Sequence, residues 1–237
     1  ATPLYFSNGG SEHGVISIDL ADNIDLVNTS GQSIYLGSNI VMRYSEKAAE
    51  QVGIGGFKAT KDNTSYIYGY AKDAMEAAND DTVVLLNDYT GKTTIDFGKA
   101  NGTLDLDGHT YTYTGSAAVI NVTDSGADVT ITNGTIVSSG IGAEVGLPSG
   151  DFVPGNISLT LDDVNLTVNG NEYGIVSNGR CSGINLTLQN GTVLSAPQAL
   201  AVYWPSGSGT VTIENSQITA HTGVQICAGG LVVKGED

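Results

Sequence analysis

The stretch from Leu104 to Lys234 repeats itself, and the repeat limits what this chain can fold into. Five segments stack by eye: Leu104–Asp107, Val129–Asn133, Leu159–Asp163, Leu186–Asn190 and Val211–Asn215. A sixth runs from Leu231 to Gly235. The steps between first residues are 25, 30, 27, 25 and 20. One short strand recurring at such a period is the signature of a solenoid.

Each segment alternates. Leu104, Val129, Leu159, Leu186, Val211 and Leu231 are apolar, as are the residues two places on: Leu106, Ile131, Leu161, Leu188, Ile213 and Val233. Between them stand Asp105, Thr130, Thr160, Thr187 and Thr212. Successive side chains on a strand point to opposite faces, so an apolar column turns inward and a threonine column faces water. One such strand cannot bury its apolar side. Coils stacked roughly 4.8 Å apart bury it and pair each backbone with the next.

The position after the strand reads Asn133, Asp163, Asn190 and Asn215, then Gly235. These residue types tolerate the left-handed backbone of a tight corner, and stacked Asn side chains can bond along a ladder. Beyond the corner an inward residue is expected at Ile136, Leu166, Val193 and Ile218. A third apolar stretch follows at Ala118–Ile120, Gly174–Val176, Leu200–Val202 and Val224–Ile226. Three short strands per coil describe an all-β fold: a three-sided parallel β-helix, right-handed by the crossover rule. Gly142–Pro154 reads as an insertion.

Before the repeat, Tyr70–Ala78 reads as a helix with an apolar face of Ala74, Met75, Ala77 and Ala78. It would cover the N-terminal end of the coil stack near residues 69–79. Strands follow at Asp81–Leu86 and Thr93–Phe97. Residues 1–65 form a strand-rich N-terminal segment, with strands at Val15–Ile18, Ile24–Val27, Ser33–Leu36 and Ile40–Met42 and a short helix at Tyr44–Gln51. They are extra coils, a cap, or an edge that pairs with another molecule. The chain divides into this segment and a β-helix over residues 66–237. At the other end Leu231, Val232 and Val233 form a strand with nothing after it to cover it. Either the native chain continues, or the edge meets a partner, including another copy of itself.

Composition bounds the partners. A net charge of −16, with Arg43 and Arg180 the only arginines, lacks the basic footprint of nucleic-acid binding. It also argues against anionic membrane surfaces. No apolar run is long enough for a membrane span. The chain begins at Ala1 without Met, which points to a processed or trimmed secreted protein or to a chosen boundary. Cys181 and Cys227 fall at similar corners two coils apart. That separation of roughly 9.6 Å is beyond a disulfide's reach, so two separate thiols are expected.

Tyr66–Asp88 with Asp96–Ile136 resembles the opening of right-handed β-helix repeat proteins of gut-type bacteria: an Ala-rich helix, a strand ending in Asn87-Asp88, then Leu104-Asp105-Leu106-Asp107-Gly108-His109 and Val129-Thr130-Ile131-Thr132-Asn133-Gly134. Ala201–Pro205, Gly209–Ile213 and Thr222–Gly229 resemble later coils of that family. The resemblance covers residues 66–237 and implies a pectin-lyase-like shape and a surface or secreted protein.

Catalytic chemistry has little purchase in the sequence. Asp162-Asp163 is an adjacent acidic pair on the ladder, but Asp163 fills a corner, and neither arginine sits near a recognisable lyase motif. Gly108-His109-Thr110 does not match a polygalacturonase site. Fold analogy alone does not assign a reaction. Asp96, Asp105 and Asp107 are too few oxygen ligands for calcium, and His13, His109 and His221 lack metal-ligand spacing. No cofactor is expected. Tyr203-Trp204 places one aromatic outward unless a loop covers it, a candidate contact for a glycan or protein. The threonine column is broken by Asp105 and reads as a solvated strand face. The nine Asn-x-Ser/Thr sequons follow from corner Asn beside strand Thr. The expectation is a non-catalytic extracellular or cell-surface module, structural, adhesive or self-assembling. The alternative is a polysaccharide-active or carbohydrate-binding protein.

Overall fold

The computed structural model describes residues 4–6, 14–17, 34–36, 40–43, 56–61, 64–78, 81–98, 100–146, 153–177, 181–205 and 209–235. In chain order the elements are β1 (Leu4–Phe6), β2 (Gly14–Ser17), β3 (Ile34–Leu36), β4 (Ile40–Arg43), β5 (Phe57–Lys61), β6 (Thr64–Tyr68), α1 (Ala71–Ala78), β7 (Thr82–Leu85), β8 (Tyr89–Gly91), β9 (Ile95–Asp96), β10 (Gly102–Asp105), β11 (Thr110–Tyr113) and β12 (Ala118–Val122). The long strands follow: β13 (Asp128–Ser138), β14 (Ile141–Val145), β15 (Val153–Val168), β16 (Tyr173–Ser177), β17 (Cys181–Gln189), β18 (Val193–Trp204), β19 (Thr210–Glu214), β20 (Gln217–Ile226) and β21 (Gly230–Lys234). The expected strand at Ile24–Val27 and helix at Tyr44–Gln51 lie outside the described residues.

The chain winds as a β-solenoid of about 5 turns, with one short helix among the described residues. Three parallel ladders make its sides. The first runs β7, β10, β13, β15, β17, β19, β21. The second runs β8, β11, the second half of β13, the end of β15, then the first halves of β18 and β20. The third runs β9, β12, β14, β16, then the second halves of β18 and β20. Val129, Leu159, Leu186, Val211 and Leu231 occupy one register on successive turns, as their spacing requires. All but Leu231 are buried, and Ile131, Leu161 and Leu188 beside them are fully enclosed.

Two registers differ from the sequence alignment. Leu104 pairs with Ile131, not Val129, because Asp107-Gly108 adds two residues at the next corner. A slip of two preserves which face a side chain occupies, so Leu104 and Leu106 remain buried. The other slip is by one. Asp162 pairs with Gln189 and Asn165 with Val193, so Asn190-Gly191 carries one extra residue. This turns Val193 outward and puts Leu194 in the column with Ile136, Leu166 and Ile218. Buried Thr192 repairs the ladder at this point: its Oγ1 donates to the Leu161 carbonyl at 3.0 Å and accepts from the Val164 N–H at 3.2 Å. One side chain thus satisfies a donor and an acceptor that the extra residue displaced. The Gly142–Pro154 stretch is also not wholly an insertion. Gly142–Val145 belongs to β14 and forms a turn's third side. Its inward residues, Ala143 and Val145, are small, which hid it from an apolar count.

The corners behave as their residue types dictate. Asn133, Asp163, Asn190 and Asn215 have φ of 57°, 55°, 55° and 46°. The side chains do not form an Asn–Asn ladder. Asn133 Nδ2 donates to Asp105 on the preceding turn at 3.2 Å, and Asn190 Nδ2 donates to Asp162 at 2.8 Å. Asn190→Ala is therefore expected to cost roughly 1–3 kcal/mol, combining the left-handed penalty with the lost hydrogen bond. Asn190→Gly keeps the backbone conformation and should cost less. Urea unfolding of the two variants checks the order.

The N-terminal end is closed. Helix α1 lies against β5, β6, β7 and β9 and buries Ala71, Ala74, Met75 and Ala78. The helical face that Ala and Met spacing predicts is the face that covers the core. Strand β5 pairs antiparallel with β7, β6 with β5, and β4 with β6. Strand β6 crosses residue 65. Beyond it β2 pairs parallel with β4 and β1 with β3. Their partners are 26 and 30 residues apart, the same order as the solenoid repeat. The antiparallel junction reverses β2 and β4 relative to the main stack, while β1 and β3 form a separate two-stranded sheet. Under the cap, Tyr111 stacks on Tyr89 at 4.4 Å and donates to the Thr93 carbonyl at 2.8 Å. Burial raises its hydroxyl far above the usual tyrosine range, followed by the influence of neighbouring Tyr89.

Candidate functional site

The adjacent aromatics part company. Trp204 points inward and is fully enclosed, the largest of the fully buried side chains. Tyr203 points outward and is half-buried. Alternation along β18 forces this split. Trp204 follows Tyr203 as Ser177 follows Val176, and Val176 pairs with Tyr203. Ser177 Oγ and Trp204 Nε1 thus share the inward position of successive turns, and both are buried without a hydrogen-bond partner.

Outside, Tyr203 stacks on Tyr173 with centroids 5.3 Å apart and planes 13° apart. Tyr173 escaped the sequence reading because its ladder partner is Leu200, so the stack is diagonal and invisible to in-register spacing. One face of each ring is used against the other. Glu144, Val176, Tyr203 and Gln225 occupy one outward register on consecutive turns, so an acid and an amide flank the ring pair.

The acidic candidates are held by the scaffold. Asp162 accepts Gln189 Nε2 and Asn190 Nδ2, both at 2.8 Å. Asp163 is an exposed corner. Asp105 Oδ1 accepts the Asp107 N–H and Asn133 Nδ2, and Asp96 accepts the Gly98 N–H. The carboxylates of Asp96, Asp105 and Asp162 thus each stabilise a turn or the next coil. Among the described residues no group of three or more His, Cys, Asp or Glu side chains converges. His109 Nδ1 lies 3.4 Å from Asp88, and His221 contacts Thr222. No bridge joins buried Cys181 to exposed Cys227. Arg180 and the Arg43 side chain lie outside the described residues. No described helix is long and apolar enough to cross a membrane.

The corrected register changes the threonine face. Thr82, Thr103, Thr130, Thr160, Thr187 and Thr212 stand in one unbroken column, with Thr103 rather than Asp105 in the second rung. The column ends at Val232.

The C-terminal rung is the other distinctive surface. Leu231 and Val233 continue the inward columns of Val211 and Ile213, yet they are 47% and 68% exposed. Ile218, Ala220, Val224 and Ile226, also on the last turn, are only partly buried. Among the described residues nothing lies over them. Among the described residues, strand β21 pairs with β19 alone and β20 with β18 alone. An open groove of about 770 Å³ runs along one corner of this end, lined by Asn190, Asn215, Gln217, Val233 and Lys234 among others. No protein-family model, curated protein or solved structure matches the chain.

Proposed function

We propose that this chain is a non-catalytic structural module of the extracellular space or cell surface, and that it associates with further copies of itself through its C-terminal rung. The observation that supports this most directly is the pair Leu231 and Val233: two members of the core columns left in water. Among the described residues the strand edge beside them has no partner, and such an edge is a template for strand addition. The acidic side chains support the same reading, since those nearest to a catalytic arrangement are engaged in corner bonds. The resemblance to pectin-lyase-like repeat surface proteins of gut-type bacteria belongs to this proposal. Light scattering with size separation over a range of concentration tests it: the mass should rise with concentration, and negative stain should show end-to-end particles. A strict monomer at high concentration would remove it.

The competing reading, a carbohydrate-binding or polysaccharide-active protein, draws on the outward Tyr173–Tyr203 pair beside Glu144 and Gln225. A glycan array with lyase and hydrolase screens separates the two readings. Binding or turnover lost on Tyr203→Ala would favour the second.

A further inference from the structure

The geometry points to a glycan-binding surface on the third side of the solenoid, centred on Tyr173 and Tyr203, whose ligand is an uncharged oligosaccharide laid along the solenoid axis. This rests on the carbohydrate-binding reading given above and adds the extent of the surface, the class of glycan and its direction.

Apolar side chains gather on the outside of this side. Ile141, Tyr173, Val176, Leu200 and Tyr203 lie on three consecutive coils, half-buried and outside the core cluster. A break in alternation puts them there. Ile141–Val145, Tyr173–Ser177 and Leu200–Trp204 each have two buried residues in succession at their second and third positions, so the first and fourth both turn outward. The second position is Gly142, Gly174 and Ala201. A Cβ at Gly142 would strike the Gly174 carbonyl, and one at Gly174 the Ala201 carbonyl. The coils are thus in close contact beneath the outward side chains, which stand on a rigid wall. A surface held in place before binding loses less freedom on binding. The outward columns of the other two sides are mainly Thr, Asn, Ser and Asp. Among the described residues from β10 onward, Tyr173 and Tyr203 are the only aromatics that are not buried, and they touch each other.

The chemistry around the rings fits a sugar. A pyranose presents an apolar C–H face with hydroxyls at its rim, and each tyrosine keeps one ring face free of its partner. Glu144 stands one coil before Val176, and Thr222 and Gln225 stand one coil after Leu200 and Tyr203. A carboxylate accepts from sugar hydroxyls, while a hydroxyl or an amide both donates and accepts. A few polar groups around an apolar floor are the usual make-up of a small-ligand site. From Glu144 to Gln225 the surface spans three coil steps, about 14 Å, which accommodates a short run of sugar rings. An extended peptide has no edge to join, because β14, β16 and the second half of β18 are each paired on both sides.

Charge selects among glycans. Residues 100–237 carry twelve acids against two bases, Arg180 and Lys234. Uronate or sulfate groups are repelled by such a surface. The third-side strands carry only Asp96 and Glu144 as charged groups, and Asp96 is engaged by the Gly98 N–H. A glycan with an amine on every unit would therefore place most of its charges over apolar side chains. An uncharged chain avoids both costs.

The test titrates the whole chain with linear oligomers of glucose, mannose, xylose and N-acetylglucosamine, from dimer to hexamer, beside galacturonate and glucosamine oligomers of the same lengths. At least one uncharged series should bind, with affinity rising to the tetramer and then levelling off. Tyr173→Ala and Tyr203→Ala should each weaken that binding at least tenfold. Tyr203→Phe, which keeps the ring, should retain most of it. Gln225→Ala changes an exposed residue, so its severalfold loss should come with an unchanged thermal midpoint. Preference for the galacturonate or glucosamine series, affinity that is already level at the dimer, or binding indifferent to both tyrosine variants would overturn this surface and leave carbohydrate binding standing. A chain that binds none of the oligomers and nothing on a glycan array would overturn both.

Discussion

Leu161→Asp is expected to unfold the middle of the stack. Leu161 is fully enclosed between Ile131 and Leu188 in one inward column. Truncating a buried leucine costs about 2–5 kcal/mol through lost transfer energy and the cavity left behind. A carboxylate in its place adds several kcal/mol of uncompensated desolvation. The sum is comparable with the whole net stability of a typical domain, about 5–15 kcal/mol. Thr160→Asp, one residue earlier on the same strand, is the control. Thr160 faces outward and is partly exposed, and its substitution should stay within roughly 1 kcal/mol. Circular dichroism during thermal unfolding measures the contrast. Each coil of a solenoid contacts only its neighbours, so hydrogen exchange should show protection lost first in β13, β15 and β17. Equal effects from the two variants would refute the inward and outward assignment.

Trp204→Ala should be the most damaging truncation near the C-terminal end. The indole is fully enclosed and is the largest of the fully buried side chains, and such truncations cost about 3–5 kcal/mol. Tyr203→Ala should cost roughly 0.5–1.5 kcal/mol, mainly the stack on Tyr173. Denaturant midpoints of the two variants decide between a core and a contact role for each ring. A Trp204→Ala protein with an unchanged midpoint and a lost ligand would show that the indole serves recognition. Because its N–H is already buried without a partner, Trp204→Phe removes that unsatisfied group while keeping most of the apolar volume. It should therefore cost much less than the alanine variant.

The parts of the fold legible in the sequence share one property: they depend on what a residue type does by itself. Alternation put Val129, Leu159, Leu186 and Val211 on successive turns. The tolerance of Asn and Asp for the left-handed region marked four corners, and Ala and Met spacing marked the face of α1 that lies against the core. The misread parts depend on counting between elements. An extra corner residue moved Val193 to the surface and brought in Leu194, and nothing in Asn190–Leu194 alone distinguishes the two outcomes. The two-residue addition at Asp107-Gly108 preserved every inward assignment and still misaligned the threonine column. Small inward residues concealed β14.

The candidate surfaces divide in the same way. Sequence alone placed two aromatics side by side and a sixth repeat at Leu231–Gly235, because adjacency and order along the chain are sequence properties. Only the tertiary structure decided that Trp204 is core, that Tyr173 reaches Tyr203 diagonally, and that Asp162 is engaged by the next coil's Gln189 and Asn190. These contacts join residues about 30 positions apart, and their partners are chosen by register. Register in a solenoid is the running sum of corner lengths, so a residue's neighbour one coil away is settled only when the whole winding is in place.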